Sequence, residues 1–289
     1  MTETDINEDT ITDAVVQSFS ACPDERLRQC LTVLTRHLHA AARELEPTIA
    51  EWETLIGFLT ATGQACTPTR QEFVLLSDVL GVSALVENIN HRSAAEATQA
   101  TVLGPFHMTE SPPRELGDTI DEVGHDEQCL VSGRVLDARG RPLAAATVDV
   151  WQADDQGFYD VQRPDAQPAG NGRGLFTTNA GGEFRFRTVV PAPYPIPVDA
   201  AVGTLLGATR RHPFRPAHIH FIASAAGHRP VTTHIFVAGG PYLDSDAVFA
   251  VKHSLIRPFD LVDDPETATR HGLSNPFRRA EIDLVLEPA

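Results

Sequence analysis

The sequence predicts an α+β protein: an N-terminal helical domain over residues 1–104, followed by a β-sandwich domain over residues 105–289. Three observations carry that expectation. Apolar residues in the first third recur at helical spacing, with capping signals where the runs begin. After about residue 100, proline and glycine rise and short alternating runs replace the helical ones. Neither half shows an internal repeat or a glycine-rich phosphate loop, which argues against a solenoid or a nucleotide-binding βαβ fold.

Composition narrows the function. At 289 residues the chain suffices for one large domain or two small ones. A net charge of −16 argues against a nucleic-acid backbone as partner and makes copies repel unless an apolar interface is built. No run approaches the ~18 apolar residues of a membrane span. The opening "MTETDINEDTITDAVV" is acidic and has neither a basic n-region nor an apolar h-region, so no secretory signal is expected. Cys22, Cys30, Cys66 and Cys129 form no CxxC, which argues against a cysteine zinc site and for a reduced, cytoplasmic setting.

Taken in order, "ITDAVVQSF" predicts a short helix. In "PDERLRQCLTVLTRHLHAAARELEP", Leu27, Leu31, Leu34, Leu38, Ala41 and Leu45 recur at steps of four and three, the stripe of an amphipathic helix or coiled-coil seam. Pro23 suits its first position, with Asp24 and Glu25 in the first turn. Thr48 and Glu51 read as a capping box opening "TIAEWETLIGFLT", and Thr69 and Glu72 as another opening "TRQEFVLLSDVLGVSALVENIN". The stripe serves either as core or as a subunit interface. Beyond residue 100, "CLVSGRVLD", "RGRP" and "ATVDVWQAD" read as strand, turn and strand. "GEFRFRTVV", "AHIHFIAS", "TTHIFVAG" and "AEIDLVLE" are further strands.

One of those strands carries the chemistry. In "RPAHIHF", His218 and His220 are two apart, so on a strand they project from one face about 7 Å apart at Cα, while Ile219 enters the other. Such a pair serves either as half of a metal site or as two histidines on a wet face. The chain has only three tyrosines. Tyr159 follows a strand in "WQADDQGFYDVQ", Tyr242 lies in "GGPYLDSD", and Tyr194 lies in "VVPAPYPIP", where prolines on both sides fix the backbone. For a lone tyrosine, packing is the ordinary role.

Together, "GFYDVQ", "PYPIP" and "RPAHIHF", in that order and spacing, resemble the intradiol ring-cleavage dioxygenases, non-haem ferric enzymes. The resemblance extends over almost the whole chain, and "TVLGPFH", "YPIP", "THIFVAG" and "PYLDSDAVF" most resemble the hydroxyquinol branch. It implies one Fe(III) per chain held by Tyr159, Tyr194, His218 and His220. It also implies O₂-dependent cleavage of a small aromatic diol or triol, with Tyr194 as the ligand that leaves when substrate binds. Hard phenolate oxygens favour ferric iron over zinc or copper. Arg215 is then expected to stabilise negative charge on the ring. His234 stands where catechol-type relatives carry glutamine, and is a candidate proton donor. Leu75, Asp78, Val102, Leu103, Gly104, Pro105, Phe106, Ile196, Pro197 and Arg215 are expected to line the substrate pocket, with Asp78 accepting a hydrogen bond from a third ring hydroxyl. The resemblance further implies a homodimer through the N-terminal helices with a phospholipid at the interface. Tyr242 and the remaining histidines match no ligand. Catechol or chlorocatechol is the alternative substrate within the family; outside it, a cupin-like metal enzyme or a non-catalytic sandwich would use the same histidine pair.

Overall fold

The computed structural model describes residues 5–67, 70–92, 97–107, 110–124 and 127–289. Five helices open the chain: α1 (Ile11–Ser18), α2 (Glu25–Leu45), α3 (Ile49–Gln64), α4 (Glu72–Val79) and α5 (Val82–Asn90). Strands β1 (Gln128–Asp137), β2 (Thr147–Gln152), β3 (Arg173–Thr177), β4 (Glu183–Val189) and β5 (Tyr194–Pro195) follow, then α6 (Ala201–Ala208). Strands β6 (Phe214–Arg215), β7 (His218–Ser224), β8 (Val231–Val237), β9 (Ile256–Arg257) and β10 (Asp260–Val262), helix α7 (Pro265–His271), and strands β11 (Phe277–Glu281) and β12 (Leu284–Leu286) complete it. The α+β class holds. The chain forms two compact units that divide between Thr60 and Ala61.

In the first unit, α1 and α2 are tied by Arg43, whose Nη2 donates to the Glu8 carbonyl and to Thr12 Oγ1 at 2.7 and 2.8 Å. Asp24, not Pro23, sets the start of α2: its carboxylate accepts from the Leu27 amide at 3.0 Å, so Pro23 lies outside the helix. The capping box at Thr48 forms as expected, with Glu51 accepting from the Thr48 amide at 2.8 Å and Thr48 Oγ1 accepting from the Glu51 amide at 3.3 Å. Leu34, Leu38 and Leu45 of the apolar stripe are 55%, 59% and 76% exposed on the single chain.

In the second unit the run expected as one helix from Thr69 is two. Gly81, at φ +73°, takes the left-handed conformation between α4 and α5. Thr69 lies outside the described residues. Glu72 has a different task from capping its own helix: buried, it accepts from the Val202 amide at 3.0 Å at the start of α6 and pairs with Arg70.

Two five-stranded sheets form the sandwich, one ordered β10-β11-β1-β12 with β4 also on β1, the other β3-β2-β7-β8-β9. Val131, Val135, Phe184, Phe186 and Leu284 from the first meet Val148, Val150, Ile219, Phe221 and Ile235 from the second in one core. The strands β1 and β2, adjacent in sequence, therefore lie in opposite sheets rather than side by side. "AEIDLVLE" is split between β11 and β12, and both pair in parallel with β1. Gly133 explains the break: the Ile282 carbonyl oxygen occupies the space where a Cβ at position 133 would stand, 1.7 Å away.

Candidate metal and active site

The second sheet builds the site on the face opposite the core. Ile219, Phe221 and Ala223 of β7 are buried in the core, so His218 and His220 project from the other side, as the alternation requires. The register sets Trp151 of β2 opposite His220, Arg173 of β3 opposite Trp151, and His234 of β8 opposite His220. One row of side chains thus runs Arg173, Trp151, His220, His234 across four strands, every member buried.

The two tyrosines come from loops. Tyr159 opens a 3₁₀ turn over Asp160–Gln162, and Gln162 Oε1 accepts from its amide at 2.9 Å. Tyr194 stands on the two-residue strand β5, which pairs with β6 so that Tyr194 faces Arg215. That ladder explains how an arginine three residues before His218 reaches the same cluster.

The donor atoms converge. Tyr159 Oη donates to Tyr194 Oη at 3.3 Å, Tyr159 Oη lies 3.1 Å from His220 Nε2, and His220 Nε2 lies 3.1 Å from His218 Nε2. Two ligands of one first-row metal ion, each at about 2.0–2.2 Å, stand roughly 3.0–3.6 Å apart at bond angles of about 90–120°. The three distances that link these four atoms in a chain fall in the range for neighbouring ligands of one ion. Their chemistry fits a hard, highly charged cation. Burial first, then the neighbouring arginine or histidines, holds His218 and His220 well below the usual histidine pKa, so both are neutral donors. Burial and the adjacent Tyr194 push the Tyr159 phenol well above its ordinary value, a shift that a bound trivalent cation would reverse.

Arg215 is buried, and burial opposes its charge, but Asp246 and the two tyrosines outweigh that and raise its pKa. Nε donates to Asp246 Oδ1 at 3.3 Å and Nη1 lies 3.1 Å from His218 Nε2, while Nη2 has no partner among the described residues. A buried guanidinium with a donor to spare is suited to an anionic ligand.

The other expected residues take different places around this cluster. Phe106 stacks on Tyr159 at 4.3 Å and meets Tyr194 edge-on at 6.2 Å; Gly104, at φ +77°, backs onto His220, where an added Cβ would lie 3.2 Å from Cε1. His234 packs against His220 and His218 with ring centroids 4.1 and 4.9 Å apart, and the three histidines bring ligand nitrogens within 4.8 Å of one another. Val102 acts on His234 through its backbone. Asp78 is buried on α4, its pKa raised by desolvation and moderated by Ser83 and the charge of Arg215. Leu75 and Ile196 are buried, Pro197 is half-buried, and Leu103 and Pro105 are exposed. Tyr242 stacks on Phe214 at 4.8 Å, a packing role. Trp151 and Arg173 join the site from β2 and β3 and are signalled in the sequence only by strand periodicity, Asp160 only by its nearness to Tyr159, and Asp246 by no local pattern.

Residues 104–288 match the dioxygenase family and residues 24–98 the catechol dioxygenase N terminus. Hydroxyquinol 1,2-dioxygenase from a Rhizobium species is 48% identical over 280 residues, 96% of this chain and 95% of that protein. A 6-chlorohydroxyquinol 1,2-dioxygenase from Cupriavidus pinatubonensis is 48% identical over 246 residues, 85% of this chain and 89% of its own. The crystal structure of hydroxyquinol 1,2-dioxygenase from Pseudomonas putida superposes with a TM-score of 0.91 at 45% identity, covering 98% of this chain and 99% of that one. The fold and the site define a ring-opening oxygenase. The chain belongs to the intradiol ring-cleavage dioxygenases, a family that uses non-haem iron, and the cupin-like and non-catalytic readings are set aside. No described helix is long and apolar enough to cross a membrane.

Proposed function

We propose that this enzyme cleaves hydroxyquinol (benzene-1,2,4-triol) between its two adjacent hydroxyls, consuming O₂ and giving 3-hydroxy-cis,cis-muconate, the tautomer of maleylacetate. The observation that carries the reading is the convergence of Tyr159, Tyr194, His218 and His220 at 3.1–3.3 Å spacings. These four residues would hold one ferric ion, which when bound acts as a Lewis acid on the chelated diol and makes its ring reactive toward O₂. Tyr194, paired with Arg215 on a two-residue strand flanked by prolines, would hold the ion and is placed to take a proton from a substrate hydroxyl. Arg215 supplies a fixed cation where negative charge builds on the ring. His234, held neutral by burial and the nearby His218 and in reach of the Val102 backbone, lies beside the cluster where a proton is to be handled.

The triol follows from similarity and from one carboxylate. Both curated relatives described above act, by name, on a hydroxyquinol. Asp78, charge-coupled to Arg215, offers the acceptor for a third hydroxyl, in a pocket formed with Leu75, Val102, Leu103, Gly104, Pro105, Phe106, Ile196 and Pro197. The exposed Leu34, Leu38 and Leu45 stripe supports a homodimer through the N-terminal helices, and family resemblance alone adds a phospholipid at that interface. In this reading, residues 1–104 serve association and 105–289 serve catalysis. The four free cysteines are consistent with a cytoplasmic setting.

The decisive experiment is a visible spectrum and iron assay on purified protein, with O₂ uptake on hydroxyquinol and catechol. A broad tyrosinate-to-iron band and faster turnover of the triol are expected. A colourless, fully active enzyme would overturn the ferric reading, and a preference for catechol would overturn the substrate.

A further inference from the structure

The two histidines of the cluster are held by different means. His218 Nδ1 donates to the Pro216 carbonyl at 2.7 Å, the arrangement that ordinarily fixes a ligating imidazole. His220 Nδ1 is buried with no hydrogen-bond partner among the described residues. His220 has a stack instead. Its ring lies on the Trp151 indole with centroids 4.5 Å apart and planes 13° from parallel. His107 packs on the same indole at 4.4 Å, and His107 Nε2 lies 2.9 Å from Asp149 Oδ2. Asp149 and Trp151, two apart on β2, share the site face, while Val148 and Val150 enter the core. The pair therefore reaches His220 through a single aromatic ring.

The same pair also closes a loop. Residues 102–107 carry Gly104 against His220 and Phe106 against Tyr159. Upstream, Lys252 Nζ donates to the Ala100 carbonyl at 2.6 Å and the Thr101 amide donates to the Thr232 carbonyl at 2.9 Å, which docks that end on the neighbouring strand. Downstream, His107 is the tether. Both its ring and the Asp149 carboxylate are largely shielded, at 25% and 19% exposure, so the contact is less screened than a surface pair.

We infer that His107 and Asp149 are positioning residues of this site: through Trp151 they fix the plane of His220, and they pin the loop that lays Gly104 and Phe106 over the cluster. The inference rests on the reading of His220 as a metal ligand. It assigns to His220, by stacking, the task that the Pro216 carbonyl performs for His218.

The test is made on iron-loaded, full-length enzyme. Iron release to excess EDTA and the position of the visible band are measured for wild type, His107→Ala, Asp149→Ala, Trp151→Leu and Trp151→Phe. Loss of a group that orients a ligand typically weakens metal binding by about 10–100-fold, and the lower end applies to a group acting through another. His107→Ala, Asp149→Ala and Trp151→Leu should release iron about tenfold faster and show a displaced band, whereas Trp151→Phe, which keeps a flat ring, should stay close to wild type. If His107→Ala also melts at lower temperature, His107→Gln, which keeps a donor toward Asp149, must restore both readouts. Wild-type release and an unmoved band in His107→Ala and Asp149→Ala would overturn the inference while leaving the ligand set intact. A wild type that takes up no iron would overturn the ligand reading and this inference with it.

Discussion

Arg173 donates to Asp160 Oδ1 from both Nε, at 2.9 Å, and Nη2, at 2.7 Å, with both residues buried. Asp160 Oδ2 accepts from the Gly170 amide at 2.9 Å, so the carboxylate is satisfied on both sides. Asp160 directly follows Tyr159, and Arg173 lies opposite Trp151 in the row that leads to His220. The pair thus joins the loop that carries a tyrosine to the sheet that carries the histidines. Breaking a buried pair from one side leaves an uncompensated charge, at a cost of about 3–5 kcal/mol. Asp160→Asn should lose about that much stability in denaturant unfolding and should weaken the tyrosinate band as well. The double change Asp160→Asn with Arg173→Met should be less damaging than the sum of its parts; strict additivity would show that the pair does not act as a unit.

Arg215 separates binding from turnover. Its guanidinium is anchored by Asp246, and Nη2 has no partner among the described residues. Arg215→Lys preserves a charge but not the fork. It should keep iron while lowering kcat about 10²–10³-fold, the loss typical of removing one preorganised donor. Single-turnover kinetics at saturating substrate, normalised to iron content, checks this. An unchanged kcat would remove Arg215 from the chemistry.

The parts of this site that follow a period were legible, and those that depend on long-range contact were not. His218 and His220 announce a shared face because strand alternation is local. Tyr194 is marked by flanking prolines. Arg173, forty-five residues from His218, joins the row only through the register of three strands, which no local pattern specifies. Likewise nothing between residues 138 and 146 says that the chain crosses from one sheet to the other. The break of "AEIDLVLE" follows from the close approach of the Ile282 carbonyl to Gly133, a contact 149 residues away in sequence. The helix break at Gly81 did have a local signal, because glycine in a helical run is a C-cap candidate, and so did the start of α2 at Asp24, an N-cap residue type.

Gly104 tests how tightly the loop must approach. A side chain at φ +77° costs about 1–2 kcal/mol in the left-handed region, and the Cβ would also crowd His220 Cε1 at 3.2 Å. Gly104→Ala should lower kcat/KM and loosen iron, while Gly124→Ala, also at positive φ but with nothing within 4 Å among the described residues, should cost stability alone. Equal activity loss in the two variants would trace the effect to backbone strain rather than to the site.

Asp78 links specificity to stability. Burial raises its pKa above the unfolded value of 3.8, with Ser83 and Arg215 only moderating the shift. The native state therefore holds a proton in a pH window where the unfolded state has released it. Stability attributable to Asp78 is greatest below the unfolded pKa and is lost as pH rises through the folded one. At pH 7, well above the unfolded pKa, Asp78 is a burden on the fold. Asp78→Asn should raise the melting temperature at pH 7, with the gain shrinking as pH falls toward 4. The burden has a use if the carboxylate accepts the third hydroxyl of a triol: a hydrogen bond to a charged group contributes about 1.5–3 kcal/mol, roughly 10–100-fold in discrimination. Asp78→Ala should lower the ratio of kcat/KM for hydroxyquinol to that for catechol by that factor, chiefly through slower hydroxyquinol turnover. A variant that gains stability at pH 7 and keeps its substrate ratio would show that Asp78 strains the fold without reading the ring.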